Sequence, residues 1–197
     1  MRDIILTISG YKGVGKTTFA NRVKEELEKV EGYNPVVVIG LADAVKKEVA
    51  EVFGISLDEL EELKRDENKK VYEDMSMRDY LISYAEHKKQ KAGADFWVKK
   101  AWNNFLTQKQ QDKENILVIS DLRFPEEQGF LDSQTDADFI FSIFLEIENY
   151  RVNKDFGENF YQQLHIDYWI IVQKQDEFKE KAKEIAQHLK EIGNQNG

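Results

Sequence analysis

Five stretches of the chain are apolar without alternation, and the apolar positions between them recur at helical spacing. Ile4 to Ile8 is the first such run, and a run of that kind suits a strand covered on both faces. Thr17 to Val30 is a predicted helix, with Phe19, Val23, Leu27 and Val30 along one face and Gly32 as its stop. Pro35 opens VVVIGL, the second strand. A second helix runs from Ala42 to Phe53 and ends at Gly54. Ser56-Leu57-Asp58-Glu59 then begins a third helix with a capping-box pattern. The charge-dense segment DELEELKRDENKK after it reads as a solvated helix face or an excursion.

From Ser76 to about Leu106 a longer helical region carries Met77, Tyr80, Leu81, Tyr84, Phe96, Trp97, Ala101 and Phe105, with a break near Gly93. ILVISDLRF is the third strand, Asp138 to Ile147 the fourth and YWIIV from Tyr168 the fifth; EFKEKAKEIAQHLKEIG closes as an amphipathic helix. Strands of the buried type alternating with helices predict an open parallel sheet between helical layers. In such sheets ligands sit beyond the carboxyl ends of the strands, so chemistry is expected just after each run.

At 197 residues the chain has the size of one ordinary domain. A net charge of −9 weighs against coating of a nucleic-acid polymer by general phosphate neutralisation, so an anionic ligand must be met by a local cluster of Lys and Arg. The absence of cysteine rules out disulfides, thiolate metal sites and cysteine nucleophiles. It also fits a cytoplasmic protein. The first apolar run is too short to span a bilayer and follows Arg2 and Asp3 with no cleavable signal pattern, so no membrane association is expected.

Between the first strand and first helix stands GYKGVGKT, residues Gly10 to Thr17, a match to GxxxxGKT in the context that its mechanism needs. The stretch Gly10, Lys12, Gly13, Val14, Gly15, Lys16, Thr17 and Thr18 is read as the triphosphate cradle. Its glycines allow a tight turn with amides pointing inward, and the helix N-terminus adds partial positive charge. Lys16 would reach the β- and γ-phosphates, Thr17 would ligate magnesium and Thr18 could donate to the α-phosphate. ATP and Mg2+ are the expected cofactors.

A switch GTPase would need an NKxD element and a DxxG switch. The chain offers Asn153-Lys154-Asp155-Phe156 and Asp121-Leu122-Arg123-Phe124, which lack the required Asp and Gly. A motor or helicase would carry Asp-Glu on its third strand, whereas this strand ends Ser120-Asp121. A small-molecule kinase remains. Ser120 to Glu127 is similar to the SDxRFxNE signature of the deoxynucleoside monophosphate kinase family of phages and some bacteria. LADAVKKEVAEVFG resembles that family's element after the second strand, and MRDYLISYAEHKKQKAGADFWV resembles its VRxLLQxxGTExxRxxxxxxFWV helix. Departures occur at Tyr84-Ala85-Glu86 for GTE, at Lys89 for an Arg and at Glu126 for an Asn.

The resemblance implies a P-loop three-layer α/β/α sandwich with a five-stranded parallel sheet, in one domain over 1–197. Residues 41–110 would form the acceptor-binding helical region and 148–166 a short lid. The implied activity is phosphoryl transfer from ATP to a (deoxy)nucleoside monophosphate, a small-molecule partner. Oligomeric state stays open, with a homodimer one option because dimers are common among such enzymes. Asp121 would hold magnesium, with the capping of its loop as the plain alternative. Arg123 would fork onto phosphate oxygens, or pair with Glu126 or Glu127. Asp43 and Lys46 stand one helical turn apart in the acceptor pocket, or form an ordinary i,i+3 pair. Arg78 would bind the acceptor phosphate, or pair with Asp74 or Glu86. Trp97 beside Phe96 would wall the nucleobase, or serve the core. Tyr84 and Glu86 are candidate readers of base or sugar. Arg151 and Lys154 stand where small kinases carry a lid. His165 and Asp167 read as a sheet-edge pair.

A monophosphate acceptor is already largely ionised at pH 7, since its second pKa is about 6, so no general base is demanded. A hydroxyl acceptor would need one. Asp43 is the candidate for that role in kinases of the dephospho-coenzyme A type, and a phosphomevalonate-type acceptor is a further alternative. A nucleotide-binding module without phosphotransfer is the reading from a different class.

Overall fold

Asp3–Gly10 (β1) is buried along its whole length, as its unbroken apolar run requires. The computed structural model describes residues 3–29, 33–111, 113–134, 137–149 and 156–195. Lys16–Leu27 (α1) follows, then Tyr33–Ile39 (β2), Leu41–Phe53 (α2) and Leu57–Arg65 (α3). Lys70–Tyr72 (β3) and Met75–Ser76 (β4) form a small antiparallel hairpin, and Met77–Ala92 (α4) and Phe96–Gln108 (α5) follow it. Glu114–Ile119 (β5), Pro125–Asp132 (α6), Ala137–Ile147 (β6), Tyr168–Val172 (β7) and Phe178–Gln195 (α7) complete the chain. A 3-10 helix, Phe156–Gln163, lies between β6 and β7.

β2, β5, β1, β6 and β7 pair in that order, all parallel, in one five-stranded sheet. The order reverses around β1, which places a crevice beyond its carboxyl end. Ile4, Leu6 and Ile8 of β1 face a layer made by α1 and α7, whereas Ile5 faces α5 and Leu131 of α6. The expected three-layer sandwich is therefore present, with its core on both sheet faces. A third apolar cluster joins α2, α3 and α4 to Trp97 and holds the helical region together.

Local chemistry accounts for the element ends. Ser56 and Ser76 each accept the amide three residues on, at 3.2 Å, and each receives the reciprocal carboxylate, so α3 and α4 start on complete capping boxes. Gly93, at φ 109°, separates α4 from α5 where the break was expected. YWIIV reads as a fully buried strand, yet β7 is at the sheet edge and buries only Ile170 and Val172. Among the described residues no helix is long and apolar enough to cross a membrane.

Candidate active site

The loop after β1 is shaped by close packing. A Cβ at Gly10, where φ is 147°, would collide with the Leu145 carbonyl of β6. Gly15 caps α1 at φ 91°, and a Cβ there would stand 2.9 Å from the Phe178 ring. Only glycine tolerates such positions. Val14 is buried between them. α1 begins with no side-chain cap and no acidic residue in its first turn, which suits an anion at its N-terminus. Lys16 is buried, and its Nζ donates to the carbonyls of Gly10 at 2.6 Å and Tyr11 at 2.9 Å. Thr17 and Thr18, in the first turn, are exposed. The loop residues that the spacing predicted therefore converge on one site, and their donor set fits a triphosphate.

The β5 end stands beside it. Ser9 of β1 donates to the Leu122 carbonyl at 2.9 Å, tying the strand that precedes the phosphate loop to the loop after β5. Asp121 accepts the amides of Leu41 at 2.6 Å and Ala42 at 3.0 Å. α2 starts at Gly40, which has no capping side chain, so Asp121 satisfies its first amides from outside the helix. Asp121 thus caps the start of α2 rather than its own loop, and the lone pairs not used there are those that a metal-bound water would meet. The alternative for Arg123, an ion pair with Glu126 or Glu127, does not form among the described residues. Glu127 instead accepts the backbone amides of Arg123 at 3.0 Å and Phe124 at 3.1 Å.

Between these loops and the helical region opens a cleft of about 380 Å³. Lys12, Lys46, Lys64, Arg78, Lys89 and Arg123 contribute to its wall. Leu41, Val45, Leu81, Ile82, Trp97 and Phe124 supply its apolar part. Several of these cations are already engaged by carboxylates. Lys46 contacts Asp43 at 3.1 Å and Glu61 at 3.0 Å, and Glu61 also meets Lys64 at 3.2 Å. Burial alone would lower the Lys46 pKa, but the two carboxylates outweigh it and hold it above its usual value. Arg78 pairs with Glu67 at 3.8 Å, a partner that lies on the turn before β3 and that the sequence reading did not consider. Glu86 lines the cleft and approaches Lys89 at 3.8 Å. Trp97 is both wall and core: it is 2% exposed, and its Nε1 donates to the Ala85 carbonyl at 3.2 Å.

Tyr84 needs correcting as a reader of the acceptor. It does not line the cleft; its hydroxyl donates to Glu48 at 2.8 Å, in a cluster with Lys88 and Lys100. The resemblance matches Tyr84-Ala85-Glu86 to the resembling family's GTE, but it is α2, carrying Glu48, that captures the Tyr84 hydroxyl. Burial pushes the Glu48 carboxyl up, yet hydrogen bonds from Lys100, Lys88 and Tyr84 outweigh it and hold the group at about 2. Asp43 also stands outside the cleft wall, paired with Lys46 as the i,i+3 spacing allows. The lid candidates Arg151 and Lys154 lie outside the described residues. In the rest of that stretch Tyr161 is buried and packs edge-on against Phe144 and Tyr11 of the phosphate loop. His165 and Asp167 do form their pair, at 2.9 Å.

Lys64, Lys89, Phe124 and Glu127 line the cleft and were not singled out as site residues from sequence. A signal existed for two of them. Lys89 holds the position of an Arg in the resembling family, and Glu127 stands three residues after Phe124, where an N3 acid closes a helix start.

Comparison with known proteins bears on the fold and the family. Among solved structures, APE1195 aligns at 14% identity with a TM-score of 0.50 over 97% of each chain. A gluconokinase from Sinorhizobium meliloti 1021 aligns at 12% identity and TM-score 0.47 over 98% of each chain. Shikimate kinase from Aquifex aeolicus vf5 aligns at 15% identity and TM-score 0.43 over 96% of this chain and 98% of its own. The likeness to APE1195 is one of fold. A search of curated proteins finds no match. Residues 8–137 match the family model described as phosphomevalonate kinase, well over half of the sequence. That segment takes in the phosphate loop, the helical region and the Asp121 loop together, and by it the chain belongs to the phosphomevalonate kinase family, as a P-loop phosphotransferase.

Proposed function

We propose that the protein transfers the γ-phosphoryl group of ATP to a phosphate monoester, and that this acceptor is a deoxynucleoside monophosphate, which leaves as the diphosphate. The observation that carries the reading is the cleft, whose wall brings six cations together with three acids and an apolar part that includes Trp97 and Phe124. The cations suit a second phosphate, and the aromatic wall suits a planar base. A monoester oxygen is mostly ionised at neutral pH, its second pKa being about 6, so the reaction needs alignment and charge neutralisation rather than proton removal. Asp121 and Glu127, two of the acids on the wall, are committed to backbone amides, which suits a reaction without a general base.

In this reading the amides of Gly13 to Thr18 and Lys16 hold the donor phosphates, Lys16 exchanging the Gly10 and Tyr11 carbonyls for phosphate oxygens. Thr17, with Asp121 acting through water, would hold magnesium, which neutralises charge on those oxygens when bound. Lys46 and Arg78 hold the acceptor phosphate, Arg123 meets the moving phosphoryl group, and Glu86 lies within reach of base or sugar.

The family match favours a second reading, in which phosphomevalonate is the acceptor. It too is a phosphate monoester, and the same cations would serve it. Incubating the protein with ATP, magnesium, the four deoxynucleoside monophosphates and phosphomevalonate, and separating the products, distinguishes the two. ADP and a deoxynucleoside diphosphate are expected; product from phosphomevalonate alone selects the second reading, and no product from any monoester overturns both. In the same assay Asp43→Asn should keep its turnover rather than lose the ~10²-fold or more that removal of a general base costs.

A further inference from the structure

Glu127 is the most enclosed charged group beside the cleft, at 3% exposure. Its two oxygens divide their work. Oε2 accepts the amides of Arg123 and Phe124, at 3.0 and 3.1 Å, and Oε1 faces the ammonium of Lys89 at 3.5 Å. Lys89 comes from α4, across the cleft wall, and its Nζ also stands 3.5 Å from the centre of the Phe124 ring. One carboxylate therefore fixes the backbone under Arg123, the ring that closes the cleft and a cation on the opposing helix.

A buried carboxylate with a single weak partner would be costly and would tend to take up a proton. Burial does push the Glu127 carboxyl up, and Lys89 together with the two amides opposes that push. An apolar residue here would leave the amides of Arg123 and Phe124 without their acceptor and Lys89 without its counter-charge, so the carboxylate sets direction as well as packing.

We propose that Glu127 is a positioning residue for phosphoryl transfer: it holds the Arg123 loop and Lys89 at a set spacing, so that Lys89 meets the acceptor's phosphate and Arg123 the phosphoryl group that moves onto it. This rests on the acceptor being a phosphate monoester, as proposed above. Glu127 itself touches no substrate; it acts through Arg123 and Lys89. Lys89 becomes a ligand of the acceptor, with Phe124 below it and Glu86, at 3.8 Å, as a second carboxylate from which the incoming phosphate draws it.

The test uses the full chain and the monoester that the wild type turns over, with Glu127→Gln, Lys89→Met, their double variant and Lys89→Arg. Gln keeps the shape and an amide acceptor but removes the charge opposite Lys89. Glu127→Gln and Lys89→Met should each raise the acceptor KM roughly 10- to 100-fold, the loss that goes with one charged hydrogen bond. The ATP KM should stay within about twofold, because the donor loop rests on backbone groups. The double variant should be no worse than the worse single one, since both cut the same link. Lys89→Arg should restore the acceptor KM.

A fall in melting temperature with both KM values unchanged would overturn the proposal, as would a parallel rise in both KM values or additive effects in the double variant. If Glu127→Gln fails to fold, the contrast between Lys89→Met and Lys89→Arg decides, and equal KM values for those two overturn it. Wild-type turnover with unaltered variants sinks the positioning role alone. Absence of wild-type turnover on every monoester sinks the proposed function, and this role with it.

Discussion

The two halves of the site are built from different materials. The donor half, Gly10 to Thr18, is backbone: its shape comes from glycines at positive φ, and Lys16 rests on the loop's own carbonyls. The acceptor half is side chain, with Lys46, Lys64, Arg78 and Lys89 brought from α2, α3 and α4 and held by Asp43, Glu61, Glu67, Glu86 and Glu127. A backbone cradle recognises any triphosphate and tolerates few substitutions. A side-chain cradle can be re-aimed by single replacements, and in the proposed function that is where acceptor choice would reside.

Substitutions can break this contrast, the largest effect first. Lys16→Ala removes the buried one of the two lysines of the donor half, and turnover at saturating acceptor should fall about 10²- to 10³-fold, the loss that goes with deleting a preorganised transition-state donor. Steady-state kinetics with both substrates varied would check it; a loss confined to the acceptor KM would mean that the halves are not separate. Arg123→Lys keeps the charge and removes the fork, and kcat/KM for the acceptor should fall roughly tenfold with the ATP KM unchanged. A variant as active as the wild type would show that Arg123 acts as a point charge or not at all.

Glu48 lies outside both halves and sharpens the comparison as a control. Glu48→Gln should cost about 1–2 kcal/mol at neutral pH, read by chemical denaturation, with both KM values unmoved. The pH dependence has a definite sign. The carboxyl sits at about 2 in the folded chain against an ordinary 4.5, so its stabilisation is complete above about 4.5 and is lost as pH falls through about 2. The stability gap between wild type and variant should close over that window. A gap that stays constant with pH would mean that the charge of Glu48 contributes nothing.

The same contrast explains what the sequence made legible. The strand, the glycine-rich turn and the helix of the donor half are local, set by residues within a few positions of one another, and their spacing predicted them. The unbroken apolar runs of the strands and the Ser56 capping box were legible for the same reason. The acceptor half depends on which helix faces which. Tyr84 shares a helix with cleft residues, yet its hydroxyl is taken by Glu48, 36 residues earlier. Arg78 finds Glu67 across a hairpin of three- and two-residue strands, too short to carry a periodicity. Asp121 caps a helix 80 residues before it. For Asp121 the local hint was Gly40, a helix start with no acceptor of its own.

Asp121 has a consequence that reaches beyond capping. The carboxylate expected to steady the donor's metal also anchors the first turn of α2, the helix that carries Lys46 toward the acceptor. Replacing it by Asn would set an amide hydrogen against the N–H of Leu41 or Ala42 and slacken that helix while it also removed the charge. In the proposed function one side chain would thus work as a shared hinge pin, and Asp121→Asn should change the KM values of both substrates at once.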